Sequence, residues 1–235
     1  MRGPATLREL LAHPAVDEHS ELGGRFGVMA YHGGNLERST DAIASEVAKA
    51  TGASLYSVRQ RAPLRTHLPS TAFDPDHSER LAEFLDHVDV VVTVHGYGRR
   101  RLRNCVLLGG RNRSLAGHMA SHLRDRLPAR YRVLDDVEAI PNELRGLHAR
   151  NPVNRPAEAG VQIELPVSVR WNWREWGWSD HAGIGRTEAV QAVIDGLASA
   201  IAAWPASDSP DAPQSTRSRD ATRPLYAPVA RVEDR

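Results

Sequence analysis

Apolar residues recur in two patterns along this 235-residue chain, short continuous runs and longer stretches with helical spacing. The densest run is VDVVVTV, residues 88–94, apolar on both faces apart from Asp89 and Thr93. Such a segment suits a central strand covered on both sides. Further strands are expected over 25–31, 54–58, 106–108, 131–134 and 160–165, the last closed by Pro166. Helical spacing is expected over 7–11, 41–51, 78–85, 115–127, 142–149 and 187–204. In the second of these, Ile43, Val47 and Ala50 share a face, Ser39 or Thr40 can cap the start, and Gly52 ends it. Strands and helices alternate, which predicts an α/β sandwich with a largely parallel sheet.

From Pro205 the composition shifts to Ser, Asp, Pro and Arg. The expected organisation is one domain over 1–204 and a disordered or extended tail over 205–235. A net charge of +1 gives no support to nucleic-acid binding through bulk charge. The single cysteine, Cys105, excludes an internal disulfide and a cysteine-based zinc site. The first residues lack the apolar core of a signal peptide, and no run approaches a membrane span. A cytoplasmic protein without a membrane partner is the expectation.

In α/β sheets, functional groups collect beyond the carboxyl ends of strands. The stretch AYHGGNLERST, residues 30–40, follows one strand and carries His32 and Glu37 around two glycines. His95-Gly96 follows the central strand, and Glu164 interrupts the apolar run GVQIEL. Two histidines and a carboxylate make a frequent catalytic zinc set with one position left for water. His32, Glu37 and His95 are the candidate ligands, and Glu164 is the candidate general base. Each residue alone also suits a plainer role. A strand-end histidine is commonly a loop residue, Glu37 suits a helix N-terminal acid, and Glu164 suits a paired structural carboxylate. The joint pattern carries the metal reading.

AYHGGNLE, TVHGYG and GVQIELP resemble, in order and spacing, the phage-type poly-γ-glutamate hydrolases, which group with the zinc carboxypeptidases and acylamino-acid deacylases. The resemblance runs from about residue 24 to about residue 204. It implies a zinc carboxypeptidase-like three-layer α/β/α sandwich with a mixed, largely parallel central sheet. It also implies one zinc on His32, Glu37 and His95, Glu164 as base, and hydrolysis of γ-glutamyl amide bonds in a glutamyl polymer or acidic peptide. His67, in THLPSTAFD, is implied to line the site. The chain departs from the family's Glu-x-Gly-Thr pattern at Ser39, and Tyr31 stands where Ile or Pro is usual.

A substrate rich in carboxylates calls for arginine, whose guanidinium pairs bidentately. Asn112 and Arg113, after Gly109-Gly110, and Arg155, just before the GVQIEL strand, are the candidate carboxylate binders. The run Arg99–Arg103 suits a solvated patch as well as an acidic partner. Four of five tryptophans fall in WNWREWGW, residues 171–178, which suits packing, an interface or a lip over the cleft. Two other readings of the whole remain open. One is a small-substrate N-acyl amino acid deacylase or cell-wall γ-peptidase. The other is a non-catalytic binding protein for an acidic partner.

Overall fold

The computed structural model describes residues 3–205. The tail expected over 205–235 lies outside the described residues, apart from its first. Seven strands form one sheet: β1 (Val16–Glu21), β2 (Gly24–Gly34), β3 (Ala53–Gln60), β4 (Val90–Tyr97), β5 (Cys105–Leu108), β6 (Arg132–Leu134) and β7 (Gly160–Pro166). Their spatial order is β1-β3-β2-β4-β7-β5-β6. The helices are α1 (Leu7–Leu11), α2 (Thr40–Thr51), α3 (Glu79–His87), α4 (Arg113–Arg126), α5 (Val167–Arg170) and α6 (Glu188–Ala203).

The strand alternation decides the layers. Val28, Ala30, Val92, Val94 and Ile163 face one way and pack with Ile43, Val47, Met119 and Leu197 of α2, α4 and α6. Met29, Tyr31, Tyr56, Val58 and Val91 face the other way, under Leu7 and Leu10 of α1 and Leu81 and Phe84 of α3. The result is the three-layer α/β/α sandwich with a mixed, largely parallel sheet. VDVVVTV forms most of β4, fourth of seven strands, as its two-sided apolar pattern requires.

Two segments differ from the sequence reading. VDEHSE forms edge strand β1, antiparallel to β3. It alternates half-buried and exposed residues, so its polar composition hides a strand with one open face. The helix expected over 142–149 is a single 3₁₀ turn, Asn142–Leu144. Gly146 ends it at φ 63°, and the Gln162 carboxamide fills the space where a side chain at 146 would go.

Strand direction places the functional edge. β3, β2, β4 and β7 are parallel, so their carboxyl ends share one edge of the sheet. β5 is antiparallel to β7, so its carboxyl end points to the opposite edge. A bulge in β2 matters as much. Ala30 pairs with Ser57 and Gly33 with Arg59, so Tyr31 and His32 together oppose one residue, Val58. Strict alternation would put Tyr31 and His32 on opposite faces, but the extra residue lets both rings turn to the same side.

Gly160 begins β7 where backbone meets backbone. A Cβ there would lie 2.0 Å from the Val91 carbonyl oxygen and 2.8 Å from that of Val153. Gly160→Ala is therefore expected to destabilise the protein by about 3 kcal/mol or more, by forced strand separation. Urea unfolding measures it, and a loss under about 1 kcal/mol would contradict this packing.

Candidate metal centre

His32, Tyr31 and His95 meet as a three-ring cluster. Ring centroids lie 5.1 Å apart for Tyr31–His32, 4.8 Å for Tyr31–His95 and 5.0 Å for His32–His95. Glu37 enters from the loop before α2. Its Oε1 is 3.0 Å from His32 Nδ1, and its Oε2 is 3.2 Å from His95 Nδ1. The Gly96 amide also donates to Oε2, at 2.9 Å. Both histidines are 2% exposed, so water screens none of these contacts. One potential ligand atom from each of the three residues lies within 4.8 Å of the others.

The proton positions decide what the cluster can hold. His32 Nε2 is 2.9 Å from the Leu68 carbonyl, which can only accept, so Nε2 carries the proton. In neutral His32 the Nδ1 lone pair then points at Glu37 Oε1. A cation resolves that pairing, either a second proton on the His32 ring, which makes an ion pair, or a metal ion. A backbone carbonyl holding the far nitrogen of a ligating imidazole is also the usual support of a metal-bound histidine. His95 Nε2 is buried and has no hydrogen-bond partner among the described residues, so Glu37 is the polar group that its ring addresses. Two imidazoles and a carboxylate fit a divalent zinc-like ion. Burial of the His95 ring favours its neutral form over the pull of Glu37, as ligation requires.

Glu164 stands beside His95 in the β4–β7 register. Its neighbours form a directional chain. Tyr31 Oη donates to Asn151 Oδ1 at 2.9 Å, Asn151 Nδ2 donates to Gln162 Oε1 at 2.9 Å, and Gln162 Nε2 donates to Glu164 Oε1 at 3.0 Å. Val153 N also donates to Asn151 Oδ1, at 3.3 Å, and Gln162 Nε2 reaches the Leu144 carbonyl at 3.3 Å. These contacts fix both amides. Oε1 of Glu164 is thus an acceptor, and Oε2 is the oxygen free to gain or lose a proton.

The two carboxyl groups are driven apart. Burial acts to raise Glu37, but the imidazoles of His32 and His95 outweigh it and hold Glu37 well below the usual carboxylate range. Burial, and then the charge of Glu37, push Glu164 well above that range. One group stays ionised as a ligand would, and the other can exchange a proton nearer neutrality.

The remaining sequence candidates are placed as follows. His67 lies beside the cluster, its ring 4.9 Å from that of His32. Asn112, Arg113 and Arg155 are not brought there. Asn112 caps α4 and donates to the Glu158 carbonyl, and its own amide donates to Gly160 O at the start of β7. Arg113 binds the carbonyls of Leu108, Gly110 and Asp135. Arg155 pairs with Asp74. For Asn112 and Arg113 the reason is the reversed direction of β5, which carries Gly109-Gly110 to the edge of the sheet opposite His95. Ser39 precedes α2 without capping it through its side chain. It adopts φ 77°, the conformation for which glycine is suited, and donates to the Ser179 carbonyl at 2.6 Å.

The sequence reading missed Arg170, Asn151, Gln162 and Tyr31 as parts of this site. Arg170 ends α5 and is buried, with its guanidinium against Gly96. Its arginine neighbours and the spacing Glu164…Arg170 gave no periodic cue. The tryptophan segment is a hairpin, β8 (Trp171–Asn172) with β9 (Gly177–Trp178), next to Arg170. Trp173 and Trp176 at its turn are 63% and 74% exposed.

A family model described as poly-gamma-glutamate hydrolase matches residues 6–191. The SPbeta prophage-derived protein YoqZ of Bacillus subtilis (strain 168) is 27% identical over 151 residues, 64% of this chain and 51% of that protein. The chain thus spans about half the length of that curated relative. A bacteriophage poly-gamma-glutamate hydrolase structure is similar with a TM-score of 0.68 at 23% identity, over 80% of this chain and 88% of the other. A structure described as YndL, apo and zinc-free, gives 0.63 at 19% identity, over 80% and 90%. At these identities the structural likenesses show a shared fold.

Two measurements on metal-free protein follow from the carboxyl environments. A carboxyl raised above its unfolded value of about 4.3 binds more protons folded than unfolded, so its contribution to stability falls as pH rises from there. Between about pH 5 and 8, Glu164→Gln is therefore expected to gain stability relative to wild type. A difference that stays flat or runs the other way contradicts the raised Glu164. Gln162→Leu leaves Asn151 Nδ2 and Glu164 Oε1 unpaired in the interior and is expected to cost about 2–4 kcal/mol in urea unfolding.

Proposed function

The chain belongs to the poly-gamma-glutamate hydrolase family, and from that premise we propose that it is a zinc-dependent amidohydrolase acting on γ-glutamyl amide bonds. One observation carries the metal reading. With the Leu68 carbonyl holding His32 Nε2, Nδ1 is presented to Glu37 Oε1 at 3.0 Å, a position that suits a cation. His32, Glu37 and His95 would hold the zinc. Its contribution when bound is Lewis acidity, towards a water molecule and towards the amide carbonyl.

The chain's own residues supply the rest. Glu37 stays ionised and so keeps both oxygens available to the ion. Glu164 takes a proton from the attacking water at Oε2 and returns it to the leaving nitrogen. Gln162, bonded to Oε1, keeps Oε2 turned away from itself and so orients the base. The raised proton affinity of Glu164 favours its taking the proton from water. No helix among the described residues is long and apolar enough to cross a membrane.

Protein purified without chelators is expected to contain about one zinc per chain and to cleave γ-linked glutamate. Glu164→Gln is expected to keep the zinc and lose about 10²–10⁴-fold in kcat. Plasma emission spectroscopy and an amine-release assay measure the two. Absence of stoichiometric zinc, together with wild-type hydrolysis by Glu164→Gln, would sink the reading. Comparison of long poly-γ-glutamate with short γ-glutamyl peptides separates a polymer hydrolase from a small-substrate deacylase or peptidase.

A further inference from the structure

A cavity of about 140 Å³ adjoins the His32–Glu37–His95 cluster. Arg38, Arg65, Gly96, Tyr97, Arg170 and Trp178 line it. Gly96 belongs to both places: it lines the cavity, and its amide donates to Glu37. The volume holds roughly five waters, enough for a carboxylate with part of its stem.

Three arginines line the cavity, and what sets Arg170 apart among them is its burial. Among the described residues, Arg25, Arg59, Arg61, Arg99, Arg124, Arg145, Arg155 and Arg186 form ion pairs with carboxylates. Arg38, Arg65 and Arg170 form none. Arg170 is 3% exposed. It spends three of its five N–H donors on backbone carbonyls: Nε on Leu165 at 3.3 Å, Nη1 on Arg38 at 2.8 Å and Nη2 on Tyr97 at 3.5 Å. Two donors remain, one on each terminal nitrogen. Burial pushes Arg170 down only to about 10, so it stays charged at neutral pH. Glu37 and Glu164 are close enough to favour that charge, but neither accepts a hydrogen bond from it.

The guanidiniums of Arg170 and Arg38 also share one indole. Their Cζ atoms lie 5.1 and 5.6 Å from the Trp178 ring centroid. Two like charges on one ring, neither hydrogen-bonded to a carboxylate, give this cavity wall a positive potential. Gly96 keeps Arg170 there, because a Cβ at 96 would lie 2.4 Å from its Cζ.

We infer that this arginine pocket binds a free α-carboxylate of a glutamyl unit flanking the scissile γ-amide, and so sets the preference for γ-linked over side-chain-neutral substrates. The inference rests on the proposed amidohydrolase activity. A guanidinium with a donor free on each terminal nitrogen matches a planar carboxylate, and Trp178 and Val167 offer apolar surface to the methylene stem. A phosphate or sulfate would meet the same charge, but the site beside an amide-cleaving centre selects the anion that its substrate carries.

The test uses the full-length chain and two γ-linked glutamate oligomers, one with free α-carboxylates and one with α-carboxamides. Binding is followed calorimetrically on Glu164→Gln, and hydrolysis on the wild-type sequence. The expected preference for the carboxylate oligomer is about 100-fold in both Kd and kcat/KM, the scale of a charge-assisted pair. Arg38→Met is expected to cut that ratio below about 10-fold. Arg170→Lys, which keeps the charge but loses the fork, is expected to cut it as well. Equal use of the two oligomers by the wild-type chain overturns the pocket, as does an undiminished ratio in both variants. Full discrimination in binding without any hydrolysis by wild type leaves the pocket standing and overturns the proposed activity instead.

Discussion

The approach of His32 Nδ1 to Glu37 Oε1 at 3.0 Å organises the middle of this molecule. The Leu68 carbonyl fixes the proton on the far side of His32, and Glu37 receives the near side. That arrangement costs energy in a buried site unless a cation joins it. Much of the surrounding backbone exists to impose it. The β2 bulge turns His32 towards His95. Gly34 then takes φ 67°, where a Cβ would lie 2.4 Å from the Gln60 carbonyl. The Asp41 carboxylate accepts from the Gly34 amide and closes the loop onto α2. The two glycines of the HGG sequence thus serve close approach as well as a turn.

Around that centre, two carboxyl groups on neighbouring secondary structures are given opposite tendencies. Glu37 has the His32 ring at Oε1 and both the His95 ring and the Gly96 amide at Oε2, all favouring its charge. Glu164 has a single side-chain amide and an apolar strand on each side of it, with Glu37 as a negative neighbour. The pairing of His95 with Glu164 in register is what brings the two environments together. Parallel pairing of β4 and β7 is therefore a chemical requirement as much as a topological one.

Most of the layered architecture was legible because it rests on local pattern. VDVVVTV could only be a covered strand, and residues 41–51 and 187–204 could only be amphipathic helices. The cluster of His32, Glu37 and His95 was legible because the three residues sit at or just beyond carboxyl ends of parallel strands, where short motifs mark them. Asn112 and Arg113 lie away from the cluster for a topological reason. Gly109-Gly110 followed by Asn112 and Arg113 looks the same in sequence whether β5 runs parallel or antiparallel, and only the partner strand decides. Arg170 was hidden for the opposite reason. A short turn after Pro166 folds it back across Gly96, which no periodicity announces. The Tyr31–Asn151–Gln162 chain joins residues up to 120 positions apart, so spacing could not reveal it.

Ser39 has a consequence for exchange of parts between relatives. Its left-handed backbone suits the glycine of the Glu-x-Gly-Thr pattern, yet its hydroxyl reaches across to the Ser179 carbonyl just past Trp178. The loop that presents Glu37 and the hairpin that presents Trp178 are thereby fastened to each other at one point. A glycine at 39 would ease the backbone and leave that carbonyl bare. A hairpin transplanted from a glycine-bearing relative would arrive shaped for a looser joint. Residue 39 and residues 171–179 are thus one mechanical unit, although 130 and more positions of chain lie between them.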